Sequence, residues 1–255
     1  MKKIFVLLLV LGFFGGTSFW VGSVLAKEKP EIPEKDGVYA DLDHPGLKVR
    51  VFVHNEKPAK PTPTPSVLQC SLEDPDSVAV VGAAGWRLDP NWIYNLNLGS
   101  VPAAVGGASL PKMASDGFGE WGAATGVAFV RGVDTTVSRQ AYDGQNVIAW
   151  GRTSGTALGV TYVRYYPDTG QVVDVDTIMN KKYQWSWYDS NVCAWQGAYD
   201  AEDILTHELG HWVGLNDEYT AEYIENTMYG YGAKGEVKKD TLTTGDVSGA
   251  AVIYQ

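Results

Sequence analysis

The chain has 255 residues, a net charge of −10, 45% hydrophobic residues and a large aromatic share that includes 9 Trp and 14 Tyr. That composition belongs to a folded globular chain and excludes a disordered one. The length suits one domain with a sizeable core and an extension. The acidic balance excludes the basic stripe that nucleic-acid binding needs and is consistent with a soluble secreted protein.

The chain opens with a targeting segment. Lys2-Lys3 form a basic start, residues 4 to about 15 an apolar run, and Val24-Leu25-Ala26 a small-residue cleavage site, so residues 1–26 read as a signal peptide. An uncleaved membrane anchor is the alternative, since Ile4 to Ala26 is long enough to span a bilayer. Cleavage implies a secreted, extracellular protein with no stable membrane association. Residues 27–66 read as an N-terminal extension. Val49 to Val53 alternates like a short strand, and Lys57 to Ser66 is a proline-rich spacer. The extension is too small for a core of its own and suits a pro-segment, a stalk or a module packed on the globular part. His44 and His54 lie in it with no ligand spacing nearby and are expected at the surface. Cys70 and Cys193 are the only cysteines, and an oxidising compartment favours pairing them in a disulfide.

The globular part is expected to begin at Ser77. Trp92 to Asn97 alternates as a first strand. Ser109 is a candidate N-cap for a helix to Thr125 carrying Met113, Ala114, Phe118 and Trp121, although Gly117 and Gly119 weaken it. Four β-branched or aromatic runs follow: 127–130, 146–150, 158–166 and 171–179, the last two joined by the turn Pro167-Asp168-Thr169-Gly170. Composition alone gives an α/β or α+β fold. Asp134, Asp143, Asp168, Asp174 and Asp176 make calcium possible, but without EF-hand spacing they read first as turn aspartates.

Residues 203–217 carry the chemistry. His207 and His211 are four apart, so a helix presents both on one face and their nitrogens can converge on one tetrahedral metal ion. Glu208 then projects beside the metal, where a carboxylate can act as general base. Gly214 offers a helix-ending turn that returns the chain toward Asp217, the candidate third ligand, with Glu218 the neighbouring alternative. Three ligands with one open position describe a catalytic zinc site. Asp200 is positioned to cap the helix, and Ile204, Leu205, Trp212 and Val213 are expected in the core. Thr243 to Asp246 reads as a capping box opening a last helix with Val247, Ala250, Ala251 and Tyr254 on one face.

The run from His207 to Asp217, followed by Asn226-Thr227-Met228-Tyr229, resembles the zinc motif and Met-turn of the metzincin metalloproteases, matrixins above all. The aspartate at the third position is similar to a variant seen in bacterial members such as snapalysin. The resemblance is strong over 200–255 and loose over 77–199. It implies a twisted, mostly parallel sheet with one antiparallel edge strand, an active-site helix, and Met228 as a packing floor beneath one catalytic zinc. It also implies a monomeric zinc endopeptidase acting on protein or peptide substrates, which add as a strand along residues 156–162. Residues 230–240 would wall a specificity pocket. Cys70 lacks the Pro-Arg-Cys-Gly setting of the matrixin thiol switch. With no histidine between 55 and 206, the chain cannot build the family's second, structural zinc site.

Overall fold

The computed structural model describes residues 31–58 and 66–255. The expected leader at 1–26 and most of the proline-rich spacer lie outside the described residues. Ile32–Gln255 form one unit. In chain order the strands are β1 (Gly37–Ala40), β2 (Lys48–Glu56), β3 (Leu68–Cys70), β4 (Asn91–Leu96), β5 (Ala128–Arg131) and β6 (Val147–Gly151). They continue with β7 (Ala157–Tyr166), β8 (Gln171–Asn180), β9 (Trp185–Ser186), β10 (Cys193–Trp195), β11 (Tyr199–Asp200) and β12 (Tyr231–Gly232). The α-helices are α1 (Leu110–Thr125), α2 (Ala201–Trp212) and α3 (Thr244–Tyr254).

The fold is mixed α/β. The main sheet has the order β1-β2-β7-β8-β6-β4-β5, with β12 paired to β2. Its β8-β6-β4-β5 half is parallel, whereas β7 runs antiparallel to both β8 and β2. Alternation along β6 explains why the sheet is buried on both faces. Ile148 and Trp150 enter the larger core with the three helices, while Val147 and Ala149 enter a smaller cluster with Val49, Val51 and Ile178.

Two expectations are corrected here. The folded part does not wait for Ser77, because β2 is hydrogen-bonded along β7 from Lys48↔Tyr165 to Asn55↔Ala157. Nor is β7 an edge strand: the chain's own β2 covers the edge at which a substrate strand was expected. Periodicity over Val49–Val53 betrayed a strand but not its partner, which is a long-range matter.

Local signals behave as their chemistry dictates, with two exceptions. Asp200 caps α2 through its side chain, and Thr243 and Asp246 form the capping box of α3. Ser109 occupies the N-cap position of α1, but its hydroxyl donates to Val105 O at 3.0 Å instead of capping. Val247 is 41% exposed, so the buried stripe of α3 is formed by Gly245, Asp246, Gly249 and Ala250. Ile204, Leu205, Trp212 and Val213 are buried as expected. Asp174 and Asp176 face Arg164, with Nη1 donating to Asp174 at 2.7 Å, and Asp134 pairs with Arg131. Among the described residues these carboxylates do not gather into a cation site. Among the same residues, no helix is long and apolar enough to cross a membrane.

Cys70 and Cys193 form a disulfide, lying opposite each other in the β3–β10 ladder. It closes a loop with a sequence separation of 123. Chain entropy gives such a loop up to about 5 kcal/mol of stabilisation. The Cys70→Ser/Cys193→Ser protein should therefore lose about 3–5 kcal/mol in urea unfolding; a loss below about 1 kcal/mol would mean the ladder holds without the bridge.

Candidate metal centre

Helix α2 delivers the site. Its twelve residues are all buried, so the helix is threaded through the core and its histidines have no access to bulk water. His207 donates from Nδ1 to Thr227 O at 2.7 Å, and His211 from Nδ1 to Leu215 O at 2.9 Å. Each carbonyl sets the tautomer and leaves Nε2 bare, the state a metal ligand needs.

The chain after α2 is turned by Gly214, whose φ of 98° suits glycine. The segment behind it is clamped on both sides. Asn216 N donates to Gly82 O at 2.9 Å and Glu218 N to Met228 O at 3.0 Å. Glu218, the neighbouring alternative, is engaged elsewhere, its Oε1 accepting from Gly82 N at 2.9 Å. Asp217 instead points inward, with Oδ1 3.1 Å from His207 Nε2 and 3.6 Å from His211 Nε2. Ligand atoms around a tetrahedral zinc with bonds near 2.1 Å stand about 3.4 Å apart. Both Asp217 oxygens and both Nε2 atoms are buried without a hydrogen-bond partner, as is Glu208 Oε1. Buried polar atoms are ordinarily satisfied, so this convergence of unsatisfied acceptors fits a cation.

The floor is held from α3. The Asp246 carboxylate accepts from Thr227 N at 2.9 Å and Met228 N at 3.2 Å, besides closing the capping box. Met228 is fully buried, and its sulfur lies against Gly210 of α2. It packs against the helix at that glycine.

Glu208 sits at the end of a relay. Trp212 Nε1 donates to Thr177 Oγ1 at 2.9 Å, Thr177 and Thr161 hydroxyls are 2.6 Å apart, and Thr161 Oγ1 donates to Glu208 Oε2 at 2.5 Å. Directed this way, every proton in the series points at the carboxylate. Gly159 permits the approach, since a Cβ there would collide with the Glu208 carboxyl group. Thr161, Thr177 and Gly159 carry no sequence signal, because they meet Glu208 only through strand pairing.

His54 is the larger omission. It was expected at the surface and is fully buried, its ring 3.8 Å from that of His207. His54, His207 and Asp217 offer ligand atoms within 4.8 Å of one another, the one such group among the described residues. The signal existed: period 2 along β2 puts Phe52 and His54 on one face. Phe52 stacks on His211 at 3.7 Å. His44, by contrast, is half-exposed and bonded to Asp41, as a surface histidine should be.

The electrostatics of the two α2 histidines differ. Burial pulls His207 down to about 4. Burial also acts against the charged form of His211, but the Asp217 carboxylate outweighs it and leaves the ring above its ordinary value. Burial would raise Asp217, yet the His211 charge and the close approach of both imidazoles hold it well below the carboxylate range. Glu208 is raised to about 7, chiefly by burial, against the pull of His211 and Thr161. No protein-family model matches the chain, and none of the curated proteins compared with it matches.

A carboxyl group whose folded value is raised is favoured when protonated, so its burden on the fold grows as pH rises from about 4.5 to about 7 and stays above that. Glu208→Gln removes the burden. In chelator-treated protein the variant should be more stable than wild type by about 3 kcal/mol at pH 8 and about 1 kcal/mol at pH 5. An equal difference at both pH values in urea titrations would contradict the assignment.

Proposed function

We propose that the chain is a secreted zinc endopeptidase of metzincin type, in which His207, His211 and Asp217 hold one zinc ion and Glu208 is the general base. What carries the proposal is the meeting of two bare Nε2 atoms and an unpartnered carboxylate, with a second, separately held carboxylate beside them. Imidazole and carboxylate in this number select zinc over calcium or magnesium, which prefer all-oxygen shells.

Zinc in such a site polarises a peptide carbonyl and an attacking water. The protein's own part is orientation and proton handling. Thr161 fixes one oxygen of Glu208 and leaves the other free to take a proton and pass it to the leaving nitrogen. A carboxylate raised to about 7 is suited to doing both near neutrality. The Thr227 and Leu215 carbonyls and the Asp246 carboxylate keep the ligand set from rearranging. The disulfide and the lack of a spanning helix among the described residues are compatible with an extracellular setting.

A second reading, a non-catalytic secreted binding module with the same fold, is favoured by one observation: β2 lies on the β7 edge where a substrate would pair. Casein hydrolysis separates the two. The zinc-loaded protein is assayed whole and after cutting at a protease site inserted within 59–65. The peptidase reading expects hydrolysis that a chelator abolishes and that Glu208→Gln lowers by roughly 10²–10⁴-fold while zinc stays bound. One zinc per chain with no hydrolysis in either form, nor after the cut piece carrying β2 has been stripped away, would establish the binding module.

A further inference from the structure

Strand β2 approaches the centre in a way its role in the sheet does not require. It runs antiparallel to β7 and parallel to β12, so its C-terminal end is gripped from both sides. Lys57 N donates to Gly232 O at 2.8 Å, and Tyr199 donates to Glu56 at 2.7 Å. The register slips between His54 and Asn55, where His54 pairs with Gly159 and Asn55 with Ala157. An irregularity of this kind re-aims a side chain. Here it falls on the residue whose partner, Gly159, is also the glycine against which Glu208 packs.

Spacing does the rest. Two residues along a strand advance about 6.6 Å, and four along a helix about 6 Å. Phe52 and His54 of β2 thus meet His211 and His207 of α2 respectively. Phe52 supplies a flat apolar cover. His54 supplies a ligand atom, with its Nδ1 buried and unpartnered and its Nε2 3.4 Å from Lys239 Nζ. Lys239 is itself fully buried and donates to Tyr229 O and Tyr231 O at 2.9 Å each. Lys239 thus flanks the third imidazole from the segment that follows β12.

We propose that His54 is a fourth protein ligand of the metal centre, closing the position that water and substrate would use, so that β2 is a self-supplied strand in the cleft. This rests on the zinc-site reading above. Three imidazoles and one carboxylate satisfy a tetrahedral ion and make the intact chain a closed, latent form. Displacing β2 would open the metal position and the β7 edge together, because one strand blocks both.

The test is X-ray absorption on the zinc-loaded full-length chain, together with the visible spectrum of the cobalt(II)-loaded protein titrated with azide. The proposal expects three imidazoles per metal and a spectrum that azide does not change. His54→Ala should bind zinc at least tenfold more weakly, show two imidazoles, and respond to azide. Two imidazoles with an oxygen ligand in the unmutated protein, or an azide response equal to that of the variant, would overturn the role of His54 while leaving the zinc-site reading intact. Failure to retain one metal per chain would overturn both. The wild-type spectrum needs no variant, so a misfolded His54→Ala protein does not blunt the test.

Discussion

Two backbone carbonyls decide what the centre can be. Thr227 O and Leu215 O accept from the Nδ1 atoms of His207 and His211, and every later property depends on that choice of tautomer. With the protons placed there, the two Nε2 atoms face Asp217 in the buried interior, and that of His211 becomes a ligand once the ring gives up its second proton. Neither carbonyl belongs to regular structure in α2. One comes from the turn after Gly214 and the other from the segment held by Asp246 of α3, so residues 215, 227 and 246 act on the histidines from outside the helix. The α3 capping box thus serves two elements with one carboxylate.

Such a group of charges is costly to bury. Ionised side chains are tolerated in an interior only when paired or when they bind a metal. Asp217 and His211 stabilise one another's charged forms, while His207 is held neutral by burial and loses its proton readily. In the metal-free chain the positive charge that balances Asp217 sits on the His211 ring. A divalent ion supplies that charge at the centre instead of at one ring and gives the two Nε2 atoms and the Asp217 carboxylate a partner. A purely structural ion pair would have no use for the second bare imidazole.

Legibility in the sequence followed the range of the interaction. The helix, its Asp200 cap, the His207/His211 spacing, the Gly214 turn and the α3 capping box are all local, and each could be read from neighbours within a few residues. The longer strands β2 and β4 to β8 were also legible as strands, while the short β1, β3 and β9 to β12 were not. Their partners were not, since register and order are set by pairings across more than a hundred residues, as in β2 with β7. The missed features sit where separate elements meet. His54 was assigned to the surface because its sequence neighbours offer no ligand, and Thr161 and Thr177 meet Glu208 only because β7 and β8 bring them under α2. Val247 failed for a different reason. Small residues on α3 allow close approach, so backbone and glycine pack where a larger side chain was expected.

The energetics of β2 bear on how the occupied cleft would behave. Val49, Val51 and Phe52 are fully buried, the first two in the smaller cluster and the third in the larger one. Burial of each is worth roughly 1.5–3 kcal/mol, so the strand is held by several kcal/mol of apolar contact before its backbone ladder or His54 is counted. A contact of that size does not open spontaneously at an appreciable frequency. If β2 is the occupant of the cleft, cutting the chain after it would not suffice for activity, because the freed strand would stay docked. Only a change that also removes the anchoring of Val49 and Val51, by further trimming or by a partner that takes up the β1–β2 hairpin, would clear the site. The sheet and the metal centre therefore pull in the same direction, and the stability of the fold and the closure of the cleft are one quantity.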